Sequence, residues 1–212
     1  MAPRSLSCPL LLLSAVLLSC CCGLSGAARP APSAAAAGNV SFIRSWCAGT
    51  EYPTLCDQTL FPYAAAVGTS PARLAWAALN VTLDGARNAK AAMKEMAAGG
   101  QLTPVAAEAA GDCVSMLGDA VSMLRQSVET MAEQAEEEGQ ATQQASRTAR
   151  FRVDSVRTWA SAALTDDGMC MEGFKGEAAG VREAVRAHVV GLAHLTANAL
   201  GIVNAMAAQT PP

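Results

Sequence analysis

Sulfur and carboxylate are the side chains with which this 212-residue chain could do chemistry. It holds eight cysteines and 18 acidic residues, but its only histidines are His188 and His194. No Cys-x-x-Cys occurs, so a zinc site has no ligand pair to start from. The two histidines are six residues apart, a poor helical spacing for sharing a metal. His188 falls on the apolar side of its helix and His194 does not, so His188 is expected to pack, buried or at an edge. There is no Gly-rich phosphate loop and no Gly-x-Ser-x-Gly, and Ser, His and Asp meet in no local nucleophile signature. These residues predict no catalytic group, no cofactor and no metal. What remains is cross-linking by cysteine and N-glycosylation at two sequons, Asn39-Val40-Ser41 and Asn80-Val81-Thr82, which make Asn39 and Asn80 candidate glycan sites.

Disulfides need an oxidising compartment, and the N-terminus supplies the route to one. Residues 1–27 read as a signal peptide: Arg4, then the apolar run Leu10–Leu18, then small residues at Ser25 and Ala27. That run is short for a bilayer, and no later apolar run is expected to span one. Cleavage removes Cys8, Cys20, Cys21 and Cys22 and leaves Cys47, Cys56, Cys113 and Cys170, which three pairings could join as two disulfides. Losing Arg4 leaves 14 basic against 18 acidic residues, a net charge of −4. Such a balance argues against nucleic acid or an anionic membrane as partner.

About 185 mature residues make one domain, and it must be built from helices. Ala28–Val40 (28–40) starts rich in Ala, Pro and Ser and reads as a flexible lead-in; 41–207 is the folded domain and 208–212 a short tail. In Phe42–Tyr63, Gly49, Thr50 and Pro53 favour a turn, and the nine-residue separation of Cys47 and Cys56 allows a local bridge across a hairpin. Ser70-Pro71 and Thr103-Pro104 are helix starts, a capping oxygen followed by a proline whose missing N–H costs nothing. Gly99-Gly100 is a stop. Between these signals, Ala75, Leu79, Thr82, Ala86, Ala89, Met93 and Met96 share one helix face. From Thr103 to Met131 the seam is Ala107, Ala110, Val114, Leu117, Val121, Leu124, Val128 and Met131, with Cys113 beside it. The acidic run Glu133, Glu136, Glu137, Glu138 precedes a stop at Gly139 and opposes the helix dipole, so solvation or pairing with Arg147, Arg150 and Arg152 is expected. Arg147–Leu164 is a third helix with Ala149, Val153, Val156, Ala160 and Ala163 inward, ended by Asp166-Asp167-Gly168. Val181, Val185, His188, Leu192, Leu195, Ala199, Ile202 and Met206 form the seam of a fourth, from about Glu177 to Ala207. Short turns between long helices predict an all-α, up-down-up-down four-helix bundle with an N-terminal helical hairpin and two disulfides. Its Ala-rich, aromatic-poor seams leave little volume for a concave site. A secreted, rigid binding module is as far as composition and spacing reach.

The run Thr158-Trp159-Ala160-Ser161-Ala162-Ala163-Leu164-Thr165-Asp166-Asp167-Gly168-Met169-Cys170, followed by Phe174, resembles the plant invertase and pectin methylesterase inhibitor family. Tyr52-Pro53 between Cys47 and Cys56, Asp112-Cys113, and the order of helices match as well, so that the resemblance covers 41–207. It implies the pairings Cys47–Cys56 and Cys113–Cys170. It also implies a secreted protein without catalysis that acts in the apoplast or cell wall. There it would cover the pectin-binding cleft of pectin methylesterase in a one-to-one complex favoured by mildly acidic pH. The run Thr158–Thr165 looks most like the pectin methylesterase inhibitors, and the Pro-Lys-Phe motif of invertase inhibitors is absent. Invertase is the alternative target. The family's Thr before the last cysteine is Met169 here, and Ser115 and Ser122 stand where acids are common. Asp119 and Glu172 keep family acids and, with Thr158 and Thr165, are the expected partner-binding residues. Pectin methylesterases that carry such a domain add a catalytic one, for which this chain leaves no room, so a free inhibitor is expected. A secreted helical signalling ligand, needing an exposed apolar patch, and a carrier of a small apolar molecule are the rivals from other classes.

Overall fold

The computed structural model describes residues 34–139 and 142–209. The signal peptide expected at 1–27 lies outside the described residues, as do 28–33 of the lead-in and 210–212 of the tail. Helix α1 is Ala34–Cys47, so it takes in the later part of the lead-in. Helix α2 is Pro53–Leu60, followed by a 3-10 turn at Phe61–Tyr63 and the single turn α3, Ala64–Val67. Four long helices follow: α4 Pro71–Ala98, α5 Pro104–Glu137, α6 Gln143–Glu172 and α7 Ala179–Gln209. Each neighbour in the chain is a neighbour in space, and α7 returns to α4, which closes an up-down-up-down ring.

Helix boundaries follow the local signals. Ser70 accepts from the Arg73 N–H at 3.1 Å, Thr103 from the Ala106 N–H at 3.1 Å and Thr142 from the Ala145 N–H at 3.0 Å. These caps satisfy N–H groups that have no partner within the helix. Gly100 and Gly139, at φ 65° and 96°, turn the chain after α4 and α5, a conformation that costs glycine least. Asp166-Asp167-Gly168 does not end α6, which runs on to Glu172. Asp167 is fully buried and its carboxylate accepts a 2.8 Å bond from the Thr196 hydroxyl on α7. That tertiary bond replaces the local one that makes Asp a stop signal.

The core interleaves alanine with larger apolar side chains such as Leu79, Met93, Leu117, Leu124 and Ile202. On α4, Ala75, Leu79, Thr82, Ala86, Ala89 and Met93 are buried as expected, with Met96 at the edge. On α6, Val153, Val156, Ala160 and Ala163 are buried. On α5 the buried line is Ala106, Ala110, Cys113, Leu117, Ala120, Leu124, Ser127, Met131 and Gln134; it keeps Ala110, Leu117, Leu124 and Met131 of the expected seam and replaces its other four members. Ala107, Val114, Val121 and Val128 flank it, half-buried. Along that line small residues (Ala106, Ala110, Ala120) alternate with large ones (Leu117, Leu124, Met131). Between α4 and α7, a Cβ added at Gly85 would meet Leu195 Cδ1 at 3.2 Å.

On α7 the expectation for histidine is reversed. Val189 is buried and His188 is exposed, because rotating the imidazole outward avoids desolvating it. His194 instead stacks on Tyr52, ring centroids 3.8 Å apart. One turn on, Asn198 Oδ1 accepts from the Tyr52 N–H and its amide donates to the Tyr52 carbonyl, both at 2.9 Å. This two-point clamp fastens the hairpin loop to the bundle. Helix α7 also carries a window of mean hydropathy 1.4, apolar enough to cross a membrane by composition, contrary to expectation. Its apolar side packs on α4 and α6 as a core helix.

The acidic end of α5 has specific partners. Arg152 on α6 donates to both oxygens of Glu137, at 2.6 and 3.0 Å, and lies 3.4 Å from Glu133. Glu138 accepts from the Ser70 hydroxyl and from the Ala72 N–H, so an acid that opposes the α5 dipole sits at the favourable N-terminus of α4.

Two bridges complete the fold. Cys47–Cys56 closes the hairpin with Cα atoms 5.5 Å apart, and Cys113–Cys170 joins α5 to α6 at 4.5 Å. The second closes a loop of 57 residues. Replacing both Cys113 and Cys170 by Ala should lower the unfolding free energy by roughly 4 kcal/mol in the chain-entropy model. Urea titration of the secreted variant measures this, and an unchanged midpoint would remove the bridge from the account of stability.

Candidate partner-binding surface

The bridge brings the outer faces of α5 and α6 together into one surface. On α6, Thr158, Thr165, Met169 and Glu172 fall at intervals of seven, four and three along one exposed stripe. The Thr158 and Thr165 hydroxyls donate to their own helix, to the carbonyls of Asp154 and Ser161 at 3.0 Å each. Glu172 pairs with Lys175 one turn on, in the loop. On α5, Asp119 is exposed and close enough to Asp166 to act on its carboxyl. The structure thus gathers Thr165 and Glu172 along one groove, which Lys175, Arg182 and Arg186 also line. Asp119 sits across the α5–α6 seam beside Asp166, and Thr158 stands two turns from Thr165 toward the start of α6.

A second groove lies directly over the bridge. Val105, Glu108, Ala109, Asp112 and Met116 of α5 face Met169 of α6 and Gly173 just beyond its end, with Cys113 and Cys170 between them. Val105 is 66% exposed and Met169 52%, two of the three large apolar side chains left so open among the described residues. Sequence reasoning missed this groove because it sought the inward stripe. The available signal was an apolar residue at 105 in register with 108, 112 and 116 on the opposite side of α5.

The two sequon asparagines lie away from these grooves in sequence, on α1 and α4. Asn39 is half-buried on α1. Asn80 is half-buried within α4 and its amide donates to the Trp76 carbonyl at 2.9 Å. Among the described residues no group of three or more His, Cys, Asp or Glu could hold a metal ion.

The match to a family model decides the identity. It spans residues 41–202 and is described as plant invertase/pectin methylesterase inhibitor. The chain belongs to this family. Among its curated relatives are pectinesterase inhibitor 10 of Arabidopsis thaliana, 38% identical over 78% of this chain, and the 21 kDa protein of Daucus carota, 36% identical over 84%. Pectinesterase inhibitor 11 of Arabidopsis thaliana is 34% identical over 85%. The match spans 51% of pectinesterase inhibitor 10 and 89% of the other two. In fold, a mutant form of a pectin methylesterase inhibitor from Arabidopsis superposes with a TM-score of 0.54 at 20% identity, over 80% of this chain and 97% of that one.

Within this inhibitor bundle, Asp167 is the group that makes stability depend on pH. Burial pushes its carboxyl up to about 7 against the Thr196 hydrogen bond, with the Asp166 charge adding to the rise. Its ordinary value is 3.8, so the folded protein binds a proton that the unfolded chain releases between those two values. Stability from this group is complete below the ordinary value and is lost as pH climbs through about 7. Glu137 works oppositely: the Arg152 hydrogen bond lowers its pKa below the ordinary 4.5, so its contribution is present above that value and lost as pH falls through the lowered one. The expected outcome is a higher melting temperature at pH 5 than at pH 8, with Asp167→Asn flattening the difference. An unaltered pH slope in that variant would assign the dependence to other groups.

Proposed function

We propose that this chain is a secreted, non-catalytic inhibitor of pectin methylesterase that acts in the plant cell wall and covers the enzyme's substrate cleft in a one-to-one complex. The observation that carries the proposal is the family match over 41–202, joined by relatives at 34–38% identity that bear the name pectinesterase inhibitor. The exposed stripe of α6 and the adjoining face of α5 support it physically. Both belong to rigid helices tied by a bridge, so docking them costs little conformational entropy. Thr158 and Thr165 supply polar contacts along the stripe, and Asp119 and Glu172 supply charge at its borders. Proton uptake at Asp167 favours the folded inhibitor on the acidic side of neutrality, the range expected of a wall protein.

Titration of the purified, oxidised protein against a plant pectin methylesterase and an invertase, at pH 5 and pH 7, tests this reading. Pectin methylesterase activity should fall to a plateau at one equivalent of inhibitor, more completely at pH 5. The double variant Asp119→Lys, Glu172→Lys should associate roughly tenfold more slowly, since charges at an interface rim act mainly on encounter. Inhibition of invertase alone would transfer the role to the other enzyme class. Turnover of pectin by the purified protein itself would end the proposal.

A further inference from the structure

The groove over the Cys113–Cys170 bridge combines features that cost free energy while it is empty. Val105 and Met169 present apolar surface to water on its two rims. Glu108 and Asp112, one turn apart on α5, point two like charges at the same space, an arrangement that is unfavourable on a helix. Among the described residues neither carboxylate has an ion pair or a hydrogen bond, unlike Glu137 with Arg152 or Glu172 with Lys175. The walls cannot simply close. The bridge fixes α5 and α6 at a Cα–Cα distance of 4.5 Å, and Gly173 contributes no side chain to fill the space.

We propose that this groove is the anchor point of the inhibitor–enzyme complex and receives one lysine or arginine side chain from the partner enzyme. Such a side chain answers both costs at once. Its aliphatic stem covers Val105, Met116 and Met169, and its charged head lies between the Glu108 and Asp112 carboxylates. An acidic or purely apolar occupant would relieve only one of the two, and an acidic one would be repelled. The inference rests on the inhibitor reading above and assigns that surface its central contact. It also gives the bridge a role in recognition, because the two walls of the groove belong to the two helices it joins.

Two variants separate charge from packing: Glu108→Gln with Asp112→Asn, and Val105→Ser with Met169→Ser. All four positions are exposed, so the folded state should be kept, and a melting curve verifies this. The readout is the Kd for a pectin methylesterase that the unsubstituted protein inhibits, measured at low and high salt, with Glu95→Gln on α4 as control. The carboxamide pair should weaken binding about tenfold to a hundredfold and remove most of the salt dependence. The serine pair should weaken binding while leaving the salt dependence intact, and the control should change nothing. Unaltered Kd in the carboxamide pair would overturn the anchor while the inhibitor reading stands. Failure of the unsubstituted protein to inhibit any pectin methylesterase would overturn both.

Discussion

The bond between Cys113 and Cys170 is the constraint on which the rest of this molecule depends. A bundle whose seams interleave alanine with larger side chains buries less apolar area per turn than a leucine-rich core would, so helix packing alone holds it less firmly. The bridge offsets that weakness at the point of greatest use. It joins two adjacent helices near the same end and limits the chain between them even when unfolded. Both sulfurs are buried, and both cysteines lie on the inner lines of their helices, so the bond is part of the core. Because α5 and α6 are held in fixed register, their outer faces form one continuous surface.

Much of the architecture was legible from single residues. Ser70, Thr103 and the glycines at 99, 100 and 139 act through local geometry, and local geometry is what a sequence records directly. The seam of α4 was legible for the same reason, since alanine and methionine at three-four spacing leave one choice of face. On α5 two lines of residues compete, one through Val114, Val121 and Val128 and one through Cys113, Ala120 and Ser127. Both share Ala110, Leu117, Leu124 and Met131; hydrophobicity favours the first, and the second prevails. That outcome depends on how neighbouring helices pack, which no single helix encodes.

The buried polar groups were illegible for a related reason. Asp167, in the motif Asp166-Asp167-Gly168, has every local mark of a helix stop. Thr196, 29 residues later, converts it into a core contact. Asn198 likewise reads as an ordinary helix residue until Tyr52, 146 positions earlier, supplies both halves of its hydrogen-bond pair. The pairing of the glutamate run with Arg152 was legible, but the place of Glu138 at the start of α4 was not. The family pattern around Cys170 compensated for some of this, since a shared motif carries tertiary information that periodicity lacks. It pointed to Asp119, Glu172, Thr158 and Thr165, and left unnoticed the groove that lies between the two halves of the bridge.

As a rigid surface, the inhibitor should depend for its competence on one covalent link. Stepwise reduction, with each bridge followed by mass spectrometry and residual inhibition of pectin methylesterase measured on the same samples, tests that dependence most directly. Inhibition should fall in proportion to the opening of Cys113–Cys170 and stay largely unchanged while only Cys47–Cys56 is open. Full inhibition by a population in which Cys113 and Cys170 are free thiols would contradict it.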